Sequence, residues 1–171
     1  MNALLAGAIA ITMVAAAIAA LYYGALPARH GNLSANRLNA LVTTLLNQGF
    51  NGGILRIEGR GVDVFLQVLK YVGKARSGIE LDFPLAPWSE VYYPRARSVL
   101  AANNIKFEEE STGRKDTRSF VTVDFGTDVS LAVKVLQLLA ADVFDLDMEH
   151  EMVAHLQGNI SRNPGDRIGL S

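Results

Sequence analysis

Side chains that commonly carry enzyme chemistry are scarce in this sequence. Its 171 residues include no cysteine and three histidines. Without cysteine there is no disulfide framework, no thiolate zinc site, no iron–sulfur ligation and no thiol catalysis. A Gly-x-Ser-x-Gly elbow is also absent, and no histidine lies near a serine-bearing turn. The sequence therefore predicts no catalytic residue and no cofactor, and this favours a protein that is not an enzyme.

The histidines do not form a metal motif. His150-Glu151 and His155 resemble a helical zinc motif, but that motif needs histidines four residues apart to meet one ion. These two lie five apart, which is about 140° around a helix of 3.6 residues per turn. We predict no metal site.

One glycine turn could bind an anion. Gly59-Arg60-Gly61 follows a predicted strand and precedes a predicted helix, the position where backbone N–H groups approach a phosphate. A third glycine is missing, because Val64 stands at the matching position. The alternatives are an anion or nucleotide site at Gly59, Arg60 and Gly61, and a plain tight turn.

A run of acids and a group of aromatic and arginine residues are candidate protein contacts. The acids are Asp142, Asp145, Asp147 and Glu149. A solvated helix face explains such a run, and so does an acidic docking face for a basic partner. The second group has the residue types enriched at interface hot spots, although core packing of its rings is the alternative. Its members are Trp88, Tyr92, Tyr93, Arg95 and Arg97.

The net charge argues against nucleic acid binding. Lysine and arginine total 16 and aspartate and glutamate total 17, for a formal charge of −1. A backbone of phosphates needs a basic surface, which this balance does not supply overall. No charged residue precedes Arg29.

Residues 1–28 are predicted to form a membrane anchor. The uncharged apolar run Ala3–Leu26 is long enough to span about 30 Å of hydrocarbon as a helix. Pro27 ends the run. A secretory signal peptide is the competing explanation, but the run is longer than the usual apolar region and lacks a basic N-terminal region.

The anchor also suggests an orientation and a partner. Arg29 and Arg37 follow the span, so the positive-inside bias favours a cytoplasmic domain with the N-terminus outside, while the periplasmic side stays open. Small residues at helical spacing let a second helix approach closely in lipid. The candidates for this packing are Gly7, Ala16, Ala20 and Gly24.

Residues 29–157 are predicted to form a small α/β (α+β) domain with a mixed sheet. The expected order is helix, strand, helix, strand, helix, strand, strand, helix. The first predicted segments are a helix over 32–49 with Ser34 as N-cap and a left-handed Gly49, a strand over 54–58, a helix over 62–72 and a strand over 79–83. They are followed by a helix from Tyr93, strands over 105–110 and 119–125, and a helix that starts after Thr127 or Asp128, breaks near 145–147 and resumes through Leu156. Residues 158–171 read as a flexible or partner-bound tail.

This order is similar to that of the thioredoxin fold over about residues 54–157, in topology only. The chain lacks the cysteine pair at the first strand-to-helix turn and the proline before Ile105. The resemblance thus implies a fold without redox catalysis.

These observations favour a single-span, non-catalytic accessory or assembly subunit of a larger complex, in a bacterial inner membrane. Its partners would be the lipid bilayer and the helices or soluble face of that complex, and its domain would be a protein-interaction module. The alternative is a tethered anion- or nucleotide-binding domain, enzymatic or not, that uses the glycine turn.

Overall fold

A computed structural model describes residues 28–30, 32–73, 76–111 and 119–157 of the chain. They form an α/β domain with a seven-stranded antiparallel sheet, of which six strands have four or more residues, and four helices. The elements in chain order are β1 Ala28–His30, α1 Ala35–Gln48, β2 Ile54–Gly59, β3 Phe65–Val72, β4 Ser77–Pro84, α2 Tyr93–Ala102, β5 Glu108–Ser111, β6 Ser119–Gly126, α3 Val129–Asp142, α4 Met148–Glu151 and β7 Met152–Gln157.

The helix predicted over 62–72 is wrong, because this segment forms strand β3 and pairs with β2 as a hairpin. In a strand over this segment, apolar residues would lie on both faces. The sequence therefore fits a helical stripe through Val62, Leu66 and Leu69 as well as it fits the two-residue period of a strand. The structure follows the period of two. The buried residues are Val64, Leu66, Val68 and Lys70.

The helix predicted to resume through Leu156 is also wrong. It breaks as expected near Asp145, and α4 is a single turn. Strand β7 then runs between β1 and β2 and pairs with both in antiparallel register. Met152 and Ala154 are buried on one face, and His155 is buried on the other. The acidic helix expected through this region is therefore a loop, one turn and a strand.

Strand order excludes the thioredoxin-like arrangement and the mixed sheet. The order is β1-β7-β2-β3-β4-β6-β5, and every pair among the described strands is antiparallel. A thioredoxin-like order needs parallel strands joined by a crossover helix. The segment predicted to form the first such helix is strand β3, so β2 and β3 form a hairpin in place of the predicted crossover.

One face of the sheet carries the three long helices. Helix α3 contacts α1, α2 and β6, and α1 contacts β2 and β4. Alternate strand residues share a single core with these helices; the fully buried strand residues include Leu55, Ile57 and Leu81. Residues of the opposite phase, such as Gln67 and Leu69, are half-buried.

The ends of α1 differ from their predicted form. Ser34 is the N-cap residue, but its side chain makes no cap hydrogen bond, and its carbonyl accepts from Leu38 N. Gly49 has extended backbone (φ −69°), so the left-handed prediction is wrong. Glycine is needed because a Cβ there would lie 2.4 Å from the Leu45 carbonyl oxygen.

Several other predictions are confirmed. The strands over 54–58 and 79–83 form β2 and β4, and the strand over 119–125 forms β6. Helix α2 begins at Tyr93 with a proline in its first turn, and Asp128 caps α3 by accepting from Leu131 N. The strand expected over 105–110 begins later, at Glu108.

The predicted anchor and tail lie outside the described residues, apart from Ala28. Within the described part of the chain, no helix is both long and apolar enough to cross a bilayer. The division into 1–28, 29–157 and 158–171 therefore stays a prediction.

Two valines distinguish strand from helix in 65–72. The helical stripe would bury Val72 and expose Val68, whereas in the structure Val68 is 0% and Val72 is 50% exposed. We expect Val68→Ala to lower the free energy of unfolding by about 2 kcal/mol, from two lost methyl groups and the cavity they leave. Val72→Ala should change it by less than about 0.5 kcal/mol. Urea unfolding of the full chain in detergent, followed by Trp88 fluorescence, measures both; the reverse ranking would contradict the hairpin.

Candidate interaction surface

The strands give the domain two distinct ends. Ala28 pairs with Leu156, which pairs with Leu55, so β1 begins at the end of the sheet where β2 begins. We call this the anchor end; its described residues include 49–53, 72–73, 76–77 and 126–128. The opposite end, the loop end, includes 60–64, 85–92 and 143–151. Eight residues of β3 separate the two ends by about 25 Å.

Hydrogen bonds of the backbone and of the Ser89 hydroxyl hold the loop end together. Arg60 N donates to the Glu151 carbonyl at 2.7 Å, which joins the β2–β3 turn to α4. Within 85–92, the buried Ser89 hydroxyl donates to the Pro84 carbonyl and accepts from Ala86 N at 2.9 Å. These bonds fix the loop that carries Trp88.

Trp88 belongs to a stack that continues onto the sheet. Its ring centroid lies 4.5 Å from that of Phe65 and 5.9 Å from that of Phe83. The Arg56 guanidinium lies 4.0 Å from the Phe65 ring centre, within cation–π range. Trp88 therefore packs its ring against the sheet at the loop end, is half-buried, and keeps part of its surface accessible.

Tyr92 and Tyr93, the two tyrosines of the predicted group, lie in different surroundings. Tyr92 is half-buried and meets Phe144 edge-on, with 5.1 Å between ring centroids. Tyr93 is buried against Phe83, and its hydroxyl has no hydrogen-bond partner in the described structure. Its burial raises the pKa of Tyr93, with a further contribution from Glu109. Tyr93 is thus a core residue, as the packing alternative held.

The arginines of α2 pair with acids of this chain. Arg95 makes two hydrogen bonds of 2.8 Å to the Asp145 carboxylate, which joins α2 to the segment after α3. This contact lowers the pKa of Asp145 and raises that of Arg95. Arg97 pairs with Glu109 of β5 at 2.7 Å. The predicted aromatic–arginine group and the acidic run therefore meet at Arg95 and Asp145.

The remaining predicted acids are exposed. Asp142 lies at the end of α3, and Glu149 lies in α4. Asp147 caps α4 by accepting from Glu149 N at 2.8 Å, and it contacts His150 Nδ1 at 2.9 Å. The His150 contact lowers the pKa of Asp147 and raises that of His150. Apart from these local bonds, the acids face solvent at the loop end.

Three apolar residues at the loop end are exposed, which the sequence pattern did not predict. Val62 is 48%, Leu85 39% and Val91 76% exposed. Val62 had been assigned to a buried helix face, and the other two belong to a loop without periodicity. Their signal in the sequence is apolar side chains inside turns, where polar ones are usual.

The glycine turn has a different setting from the one predicted. Gly59 N donates to Val64 O within a β2–β3 hairpin, and Gly61 takes the positive φ (73°) of its turn. No helix begins there, so the helix terminus on which the anion prediction depends is missing from this turn. Arg60 is exposed, but its N–H is already bonded.

The histidines are also apart from one another. His155 lies on β7 and is 5% exposed. Its Nε2 lies 3.2 Å from Oε2 of Glu58, and Oε1 of the same carboxylate lies 2.6 Å from Arg56 Nε. His150 lies on α4. Among the described residues, no group of three or more histidine and acidic side chains could hold a metal ion.

A polar groove lies at the anchor end, on the face opposite the helices. Its volume is about 630 Å³, and its lining mixes Arg76 and Lys106 with Glu80, Glu108 and Asp124. Asp124 accepts from Tyr71 Oη at 2.8 Å, from Arg76 at 2.6 Å and from Gly126 N at 2.9 Å. This network joins β3, β6 and the β3–β4 connection.

Comparison with known proteins returned no match. No family model, curated protein or solved structure resembles the chain closely enough to report. The predicted membrane packing residues Gly7, Ala16, Ala20 and Gly24 lie outside the described part of the chain.

Asp124 predicts a pH dependence of stability. Burial raises its pKa, but the Gly126 N–H, the Tyr71 hydroxyl and Arg76 together hold it below its ordinary value of 3.8. A depressed pKa stabilises the fold above the unfolded-state pKa, and this contribution is lost as the pH falls through the folded-state pKa. We expect Asp124→Asn to destabilise by less than about 1 kcal/mol near pH 7, since the site is partly exposed, and the difference to shrink as the pH falls below 3.8 and through the folded-state pKa. Urea midpoints of both proteins measure it; a constant difference would contradict the assignment.

Proposed function

We propose that this protein is a single-span, non-catalytic accessory or assembly subunit of a larger bacterial inner-membrane complex, and that its domain is a protein-interaction module. The proposal depends on the uncharged run Ala3–Leu26 for the anchor. The observation that carries the interaction role is the loop end. Its connections carry three exposed apolar side chains, two of them in the loop that carries Trp88, together with exposed acids.

The composition of the loop end supports binding to protein. Specific interfaces combine an apolar centre with a polar rim, and tryptophan and arginine are frequent hot-spot residues. Here Val62, Leu85 and Val91 would form the centre with Trp88. The exposed acids of the rim outnumber its exposed arginines, Arg60 and Arg95; they are Asp63, Glu90, Asp142, Asp145, Asp147, Glu149 and Glu151.

This charge pattern favours a basic partner surface. The Arg95–Asp145 pair is internal, so it consumes one charge of each sign and leaves the acidic excess unchanged. Complementary charge would speed association and set the register of the complex, while the apolar centre would supply most of the affinity. The partner surface should therefore offer apolar side chains bordered by lysine or arginine.

The loop end is also accessible in the proposed topology. Ala28 follows the predicted span directly and lies at the other end of the sheet. A domain tethered in this way would hold its loop end about 25 Å further from the membrane, towards the soluble face of the complex. The predicted side is cytoplasmic, from the positive-inside bias of Arg29 and Arg37.

The test is capture of the complex by the full-length chain. Tagged protein purified in mild detergent should bring the same partner repeatedly, and blue-native electrophoresis should show migration well above 18.5 kDa. Val91→Glu should lower partner recovery more than about tenfold, because the complex would bury an unpaired carboxylate at its apolar centre. Val91 is 76% exposed, so the fold should tolerate the change.

Asn39→Glu is the matched control, since it adds the same charge at an exposed site in the middle of α1. It should leave recovery unchanged. Migration only as a monomer would reject the proposed function. Equal losses from both variants would reject the loop end as the contact.

A further inference from the structure

Charge and exposed apolar residues are distributed unevenly along the strands. The anchor-end connections 49–53 and 72–77 contain no acid, and the sequence from Val64 to Ile79 has no acidic residue and three basic ones, of which Lys70 is buried. At the loop end, by contrast, the connections 60–64, 85–92 and 143–151 each carry at least one acid. The loop end is thus acidic, whereas the connections 49–53 and 72–77 carry no acid. The acids of the anchor end are Glu80, Glu108 and Asp124 on the strands and Asp128 at the start of α3.

The anchor end also exposes apolar side chains. Phe50 is 36% exposed in the α1–β2 connection, and Val72 is 50% exposed at the end of β3. Arg76, with 73% of its side chain exposed, lies in the adjacent β3–β4 connection, and one of its guanidinium nitrogens, Nη1, pairs with Asp124 at 2.6 Å. Apolar tips beside a basic side chain are the combination that binds the interface of an anionic membrane.

The third connection at this end carries a carboxylate with a structural role. Asp128 caps α3 through Leu131 N at 2.9 Å, and nearby Asp124 is engaged by Arg76 and Tyr71. These contacts hold both acids in the fold.

The distance along the chain fixes what must lie near this surface. In the sequence, a single residue, Pro27, separates the end of the predicted span at Leu26 from Ala28 of β1. Two Cα steps reach at most about 7 Å, and the headgroup layer is about 5 to 8 Å thick. The anchor end would therefore lie in or against the headgroups.

We infer that the anchor end is a lipid-contacting surface: Phe50 and Val72 enter the headgroup layer and Arg76 meets anionic lipid phosphates. This inference rests on the membrane anchor of the proposed function. It adds that the domain stands on the bilayer with its strands steeply inclined to the membrane plane. The sheet then has a fixed orientation, with the acidic loop end directed away from the anionic surface.

The experiment uses the lack of native cysteine. Val72→Cys and Val62→Cys place one thiol each at opposite ends of the sheet, at sites of nearly equal exposure, 50% and 48%. Each full-length variant is labelled with an environment-sensitive maleimide fluorophore and reconstituted into phosphatidylcholine–phosphatidylglycerol vesicles of roughly 3:1 composition. The vesicles contain or lack a lipid with a spin label near its headgroup. Trp88 emission verifies that both variants are folded.

Vesicle flotation is measured first. If the chain floats and the Val72 label is quenched at least about twofold more than the Val62 label, the inference is supported, since only the anchor end would be within reach of the headgroups. If the chain floats and the two labels are quenched equally, or Val62 more, the inference is overturned while the anchor stands. If the chain does not float, both the anchor and the lipid contact are overturned.

Discussion

The pairing of β7 with both β1 and β2 is the constraint on which the rest of the architecture depends. It brings the last described strand between the first two, so that residues at the start and end of the domain share one register. This register puts Ala28 at one end of the sheet and the Arg60–Glu151 contact at the other. Without it the domain would have no defined anchor end or loop end.

Local signals predict the elements whose patterns allow one interpretation. The alternation in Ile79–Phe83 fits a strand only, and Pro94 and Asp128 mark helix starts that the structure confirms. Phe65–Val72 could not be assigned in this way, because apolar residues occupy both phases and hydrogen bonding to β2 and β4 decides the outcome. Met152–Gln157 was missed for a related reason: its partner strands β2 and β1 lie about 100 and about 125 residues earlier in the chain.

The candidate surface was predictable in residue type but only partly in arrangement. Trp88, Arg95 and Asp145 were identified from the sequence, and the structure brings them to one end of the domain. Tyr93 was assigned to the same surface, yet it is buried, because the start of α2 faces Phe83. Val91 gave only a weak signal, an apolar side chain inside a turn, since an isolated apolar residue in a loop acquires meaning only from its exposed neighbours in space.

The short β1 strand has a mechanical consequence. It enters the sheet at the anchor end and runs along β7 for three residues. Tension applied through the predicted span would pull β1 along its own axis, so the load would fall on its hydrogen bonds together, in shear, instead of separating them one at a time. If the predicted span forms, the three-residue strand β1 would then pass such tension to the whole sheet.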